Sequence, residues 1–295
     1  MWDFITASLF ILTRAVEQGT PVTFVLIGFI GLCGGSFLSV VVYRTSTILE
    51  RMEYDGDAPP KTSRFNIATP ASHCQHCGNN INWYENIPIL SYIVMRGKCT
   101  SCGSRISVTY PALELLMCIA SIVALWQFRN IPLVASALIL SGALICVSVI
   151  DIRERFIPDN IILPMLWLGL ICNAFELFTP LRDAVFGAVA GYLSLWGVFY
   201  LYRLSTGKDG MGHGDFKLLA MLGAWLGIAA IPIILIVSFT TAAIVGILCM
   251  VKFRARMSTA IPFGPFLATA GWCTLYWSNE MHQAYWNAVM FFSLR

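Results

Sequence analysis

Six side chains stand out for the chemistry that their types and spacing allow: Cys74, Cys77, Cys99 and Cys102, and the aspartates Asp151 and Asp215. The cysteines form two CxxC pairs separated by 21 residues, and each pair is followed at once by a glycine, Gly78 or Gly103. Two thiolates three residues apart on a tight knuckle can face one ion. A second knuckle completes a tetrahedral shell, the pattern of a structural zinc site. Metal binding would then contribute directly to folding. Two disulfides are the alternative, and the cytoplasmic location inferred below argues against them. His73 and His76 flank the first knuckle and could replace one cysteine as ligand. The other cysteines (Cys33, Cys118, Cys146, Cys172, Cys249 and Cys273) lie in apolar stretches and read as small packing residues.

The aspartates sit where apolar runs end or begin. Asp151 follows directly on Ile150, and Asp215 directly precedes the apolar residues 216–221. Ionisable groups at membrane depth are expensive and usually functional. Gly210, Gly212 and Gly214 alternate up to Asp215, which predicts a backbone able to unwind and approach a substrate. The competing reading makes Asp215 the N-cap of the following helix. Asp151 stands at the C-terminal end of its own run, where a carboxylate opposes the helix dipole, so capping does not account for it. Two neighbouring carboxylates do not both ionise easily. One holds a proton while the other activates a water for attack on a peptide carbonyl, which is aspartic protease chemistry. Asp159 competes with Asp151 as first member of the pair, although Pro158 and Asp159 also read as a helix start.

The elements that must carry these residues are membrane helices. Of the 295 residues, 57% are hydrophobic and 12% charged, with mean hydropathy +0.72. A soluble domain carries about twice that charge. Apolar runs of spanning length cover residues 21–43, 110–128, 131–150, 157–178 and 183–202. Residues 216–251 are long enough for two helices with a turn near Ala230, Ile231 and Pro232, and a last run covers 261–277. The expected fold is therefore an all-α polytopic membrane protein of about eight transmembrane helices, or seven, with 284–292 lying at the interface or extending the last helix. Asp3, Arg14 and Glu17 near the start argue against a cleaved signal peptide.

Placing the N-terminus in the periplasm leaves 15 of the 19 Lys and Arg residues in inner loops, with Arg14, Arg129, Arg182 and Arg295 outside. The chain divides accordingly into an N-terminal segment and first helix (1–43), a cytoplasmic four-cysteine loop (44–109) and a transmembrane part (110–295). The loop is too small to hold a robust core without a staple, which the cysteines supply. The net charge of +3, with no basic cluster, gives no sign of a nucleic-acid partner. The lipid bilayer is a necessary partner. The residues do not set an oligomeric state.

GHGD at 212–215, followed by Lys217, resembles the GxGD motif of the type IV prepilin peptidases. The resemblance extends along CQHCGNNINWYENIPILSYIVMRGKCTSCGSRISVTYPALELL at 74–116, GGSFLSVVVYR at 34–44 and DIRERFIPD at 151–159. Ser39 stands where that family commonly has asparagine, and 50–57 form an acidic insert-like stretch. The resemblance implies an intramembrane aspartic endopeptidase of the bacterial inner membrane, with Asp151 and Asp215 as its catalytic pair. Its substrates would be prepilins or type II secretion pseudopilins, cut after a glycine to remove a short basic leader. It also implies N-methylation of the new N-terminus with S-adenosylmethionine, with Glu85, Gly97 and Lys98 carried over as cofactor-binding positions. Against these stand the readings of Glu85 and Lys98 as loop charges and Gly97 as a turn. A proton-relay transporter would use membrane carboxylates too, but its inverted repeats are not visible. A zinc-stapled assembly protein without catalysis is the remaining rival.

Overall fold

In lipid a backbone can satisfy its polar groups within a helix, and the apolar runs fold accordingly. The computed structural model describes residues 13–55, 72–208, 212–253 and 261–293. Its main helices are α1 (Pro21–Asp55), the short α2 (Leu90–Val94), α3 (Thr109–Phe128), α4 (Ile131–Glu154), α5 (Asp159–Ala174), α6 (Leu181–Thr206), α7 (His213–Leu226), α8 (Ala230–Phe253), α9 (Gly264–Tyr276) and α10 (Ser278–Ser293). Among the described residues β-structure amounts to two isolated antiparallel bridges, His73 with Asn80 and Lys98 with Arg105. The protein is thus a multi-pass helical membrane protein.

Among the described residues, five helices are long and apolar enough to cross a membrane: α1 over Pro21–Leu49, α3, α4, α6 and α8. Three of the eight expected spans are shorter helices: α5, α7 and α9 have 16, 14 and 13 residues. At 1.5 Å per residue each is about 20–24 Å long, less than the ~30 Å hydrocarbon core. The break expected near Ala230–Pro232 falls at 227–229, because Gly227 takes φ +82° after α7 and Ala230 already opens α8. α1 continues well past the apolar run, to Asp55. Gly210 and the loop residues 56–71, including Lys61 and Arg64, lie outside the described residues, as do Arg254, Arg256 and Arg295.

The chain forms two compact units, Met1–Cys146 and Val147–Arg295. In the first, α1 lies on α3. A Cβ at Gly35 would stand 2.4 Å from Glu114 Cα, and one at Gly31 would stand 2.7 Å from the Met117 carbonyl. The glycines therefore let the two backbones touch, the usual way membrane helices gain packing without a hydrophobic drive.

The second unit is arranged around α7, which packs against α5, α6, α8 and α9. Every residue from Leu218 to Trp225 is buried. This enclosure explains how so short a helix is stable: its apolar surface is covered by protein. α6 crosses it closely, since Cβ atoms at Gly187 and Gly191 would stand 2.5 and 2.6 Å from the Gly223 and Leu219 carbonyls. The far end is fixed by buried Asn173, whose amide donates to the Ala224 and Trp225 carbonyls at 2.8 and 2.9 Å and accepts from the Phe178 and Thr179 amides. α7 is thereby clamped along its whole length, and Asp215 rides on its first turn.

Candidate active site

Asp215 is buried in the first turn of α7. The helix is capped by Gly212, with extended backbone (φ −76°, ψ 142°), so Asp215 is not the N-cap. Gly214 is helical, and its requirement is steric: a Cβ would stand 2.7 Å from Ile157 Cβ. The glycines here thus serve close packing; Gly210 is not described. An aromatic cluster holds the same turn, with His213 5.2 Å from the Phe199 ring and 5.6 Å from Phe216, and Tyr192 edge-on to Phe216 at 6.1 Å.

Asp151 lies in the last turn of α4 and is buried. Its Oδ2 accepts the Gly264 backbone N–H at 3.0 Å. Gly264 is the first residue of α9, so the carboxylate caps a helix that starts 113 residues later. Capping therefore does account for Asp151, though not capping of its own helix. A Cβ on Gly264 would stand 2.6 Å from that Oδ2 and 3.1 Å from Ile157 Cδ1. Ile157 thus touches the backbone beside both aspartates. Both carboxylates lie at helix N-termini inside one unit, 64 residues apart in sequence.

Asp159 is engaged elsewhere. Its two carboxylate oxygens take the Lys217 ammonium at 2.8 and 2.7 Å, with the Asp159 side chain about half exposed (51%). This pair ties the start of α5 to the second turn of α7, two residues past Asp215. Gly264, Ile157 and the Lys217–Asp159 pair were not singled out from sequence. Pro265 directly after Gly264 is a helix-start signal that marks the position, but nothing local marks its partner.

The four cysteine sulfurs lie within 4.8 Å of one another. A tetrahedral shell with Zn–S about 2.3 Å has S···S edges of about 3.8 Å. Cys74 and Cys102 stand 3.9 Å apart, so the donor set fits such an ion. The two knuckles share one geometry: Gly78 and Gly103, both at φ +71°, each donate to the carbonyl of the first cysteine at 2.9 Å, and Cys74 and Cys99 donate to Asn79 and Ser104 at 2.8 Å. All ten cysteines are free thiols. The backbone amides of Cys77 and His76 lower the Cys74 thiol to about 6, and Ser104 lowers Cys102. Against the Asn79 amide, which lowers it, Cys77 is raised to about 11 by desolvation and its neighbouring thiols. His73 and His76 are not part of the cluster.

Glu85 closes a capping box, accepting from the Asn82 amide at 2.8 Å, and its other oxygen takes the Thr100 hydroxyl. Thr100 chiefly, then Asn82, holds its carboxyl below the usual range. Gly97 needs its φ of +65° and donates to the Tyr92 carbonyl at 2.9 Å, while Lys98 is bridged to Arg105. Glu85 and Thr100 therefore join the first half of the loop to its second knuckle. The same unit holds a cavity of about 360 Å³ that Glu85 helps to line; Gly97 and Lys98 sit on the hairpin beside it.

Taken together, the fold and these groups define a multi-pass membrane protein with a buried aspartate pair in one helical unit and a tetrathiolate loop in the other. The bacterial peptidase A24 N-terminal domain matches residues 29–128, and the type IV leader peptidase family matches residues 138–247. The chain belongs to this leader peptidase family. It is 46% identical to a prepilin leader peptidase/N-methyltransferase of Pseudomonas putida, over 86% of this chain and 90% of that protein. The proteins of the same name from Pseudomonas aeruginosa and Neisseria gonorrhoeae are 45% and 40% identical, covering 90% and 92% of this chain and 94% of each relative. No solved structure matches the chain.

Proposed function

We propose that this chain is a prepilin peptidase of the bacterial inner membrane, with its N-terminus in the periplasm and its site at the cytoplasmic face. Asp151 and Asp215 are its catalytic pair. They share one proton. Together they activate a water that adds to the scissile carbonyl, and the proton moves to the departing nitrogen as the C–N bond breaks. The observation that carries this reading is that two buried carboxylates, from α4 and α7, flank one Ile157 side chain, while Asp159 is neutralised by Lys217. The basic leader of a prepilin or pseudopilin lies on the side where the chain's own basic loops cluster, and its apolar helix reaches the pair from the bilayer. Asp151→Ala and Asp215→Ala are expected to abolish leader removal, read by mass spectrometry of a co-expressed prepilin, and Asp159→Ala to retain it. Processing at the wild-type rate by either of the first two variants would refute the assignment.

The second activity follows the names of the relatives: N-methylation of the new N-terminus by the 44–109 loop part. S-adenosylmethionine, if held there, would supply an electrophilic methyl group on its sulfonium for the new N-terminal amine. Glu85, beside the cavity, and Gly97 and Lys98 on the adjoining hairpin are the residues assigned to hold it. Zn2+ in the four thiolates shapes that hairpin. Methylated and unmethylated mature N-termini differ by one methyl mass, which the same spectra read.

A further inference from the structure

The first unit contains a carboxylate that neither proposed activity uses. Glu114 lies in the second turn of α3, within an apolar span, and is only 8% exposed. Its Oε2 accepts the Ile89 amide at 2.7 Å. The Ile89 amide is a neutral donor, so this bond orients the carboxylate without cancelling its charge. A carboxylate so placed is favoured by a cation beside it.

Three further features surround it. The carboxylate forms part of the wall of the 360 Å³ cavity, a size within the ~300–1,000 Å³ range of small-molecule sites. Tyr43, Tyr92 and Tyr110 line that cavity and offer flat apolar faces for a ring system, and Arg105 is a counter-charge for a carboxylate. Ile89, a β-branched residue, is held at φ +59° in donating to Glu114. That conformation costs free energy and persists only where the surroundings impose it, a pattern concentrated at ligand sites.

We propose that this cavity is the methyl-donor pocket and that the Glu114 carboxylate faces the donor's sulfonium, selecting the cationic donor over its neutral thioether product. Glu114 is a binding residue in this assignment and takes part in no bond change. The cavity's size and its lining of tyrosine rings with a few charged side chains fit a small zwitterionic molecule carrying a ring system. The inference rests on the bifunctional reading above.

The test uses the purified full chain in detergent, with dissociation constants for S-adenosylmethionine and S-adenosylhomocysteine measured by titration calorimetry. Glu114→Gln is the informative variant, because its amide oxygen still accepts the Ile89 N–H while the charge is gone. Loss of a charge-assisted contact is expected to weaken S-adenosylmethionine about tenfold to a hundredfold and to leave S-adenosylhomocysteine within about twofold. Val40→Phe, one turn along α1 from Ser36 and also on the cavity wall, adds bulk and is expected to weaken both ligands. Leader cleavage by both variants reports that the chain is folded. Unchanged donor affinity in Glu114→Gln overturns the role of Glu114, including the case where only the Michaelis constant for a peptide acceptor rises. Unchanged affinity in Val40→Phe overturns the pocket. If the wild-type chain neither binds the donor nor methylates, the methyltransferase reading itself fails, a result distinct from either of these.

Discussion

Gly264→Ala tests whether the geometry around Asp151 governs cleavage. Gly264 has no positive φ, so alanine is free of backbone strain there and the effect is confined to the new methyl group. That methyl would stand 2.6 Å from Asp151 Oδ2 and 3.1 Å from Ile157 Cδ1. Van der Waals contact between such atoms is near 3.5 Å, so the carboxylate must retreat by about 1 Å and its 3.0 Å bond to the Gly264 amide lengthens past usefulness. A hydrogen bond to a charged group is worth about 1.5–3 kcal/mol, and a misplacement of about 1 Å in a reacting group costs about 10²-fold. The two are views of one displacement and are not summed; the expected loss of cleavage rate is about 10²-fold, or about 2.7 kcal/mol. The assay is a time course of leader removal from a purified prepilin, with Gly197→Ala as control because no heavy atom lies within 4 Å of a Cβ there. Substrate affinity should change little, since Gly264 bears on the carboxylate and not on the apolar substrate helix. A folded Gly264→Ala enzyme that cleaves within about threefold of wild type would refute the reasoning.

Other outcomes follow from the same structure. Because Lys217 and Asp159 are 32% and 51% exposed, a double-mutant cycle with Lys217→Met and Asp159→Asn should give a coupling below about 1 kcal/mol in thermal stability, and a larger value would mean the pair is shielded. Cys74→Ser should lower the zinc content, measured by inductively coupled plasma mass spectrometry, from one ion per chain, and limited proteolysis should then cut residues 72–108 first; full retention of metal would sink the four-thiolate site. Gly223→Val would drive a side chain into the Gly187 carbonyl, 2.1 Å from where its Cβ must sit, and should destabilise the second unit by at least ~1–3 kcal/mol, seen as a lowered melting temperature with loss of cleavage.

The sequence alone determined the helical membrane class, because every apolar run must satisfy its backbone within itself, and it determined the thiolate loop, because CxxC spacing is a local geometric fact. It also marked Asp151 and Asp215 as costly groups at the ends of apolar runs. It did not determine span lengths: α7 looked like half of a long hydrophobic stretch, and only its enclosure by four other helices makes a 14-residue helix sufficient. Nor did it explain Asp151, which reads as unfavourable on its own helix and becomes favourable on α9, through an amide 113 residues away. Asp159 and Lys217, 58 residues apart, are likewise joined only by packing. Glu114 was not singled out from the sequence, and its cavity and the strained Ile89 beside it are not encoded by any local pattern. Capping, turn chemistry and metal spacing depend on energies between near neighbours and so can be read along the chain. The contacts that orient the carboxylates depend on which glycines allow close approach, and that is decided around Ile157, where Gly214 of α7 and Gly264 of α9 come together.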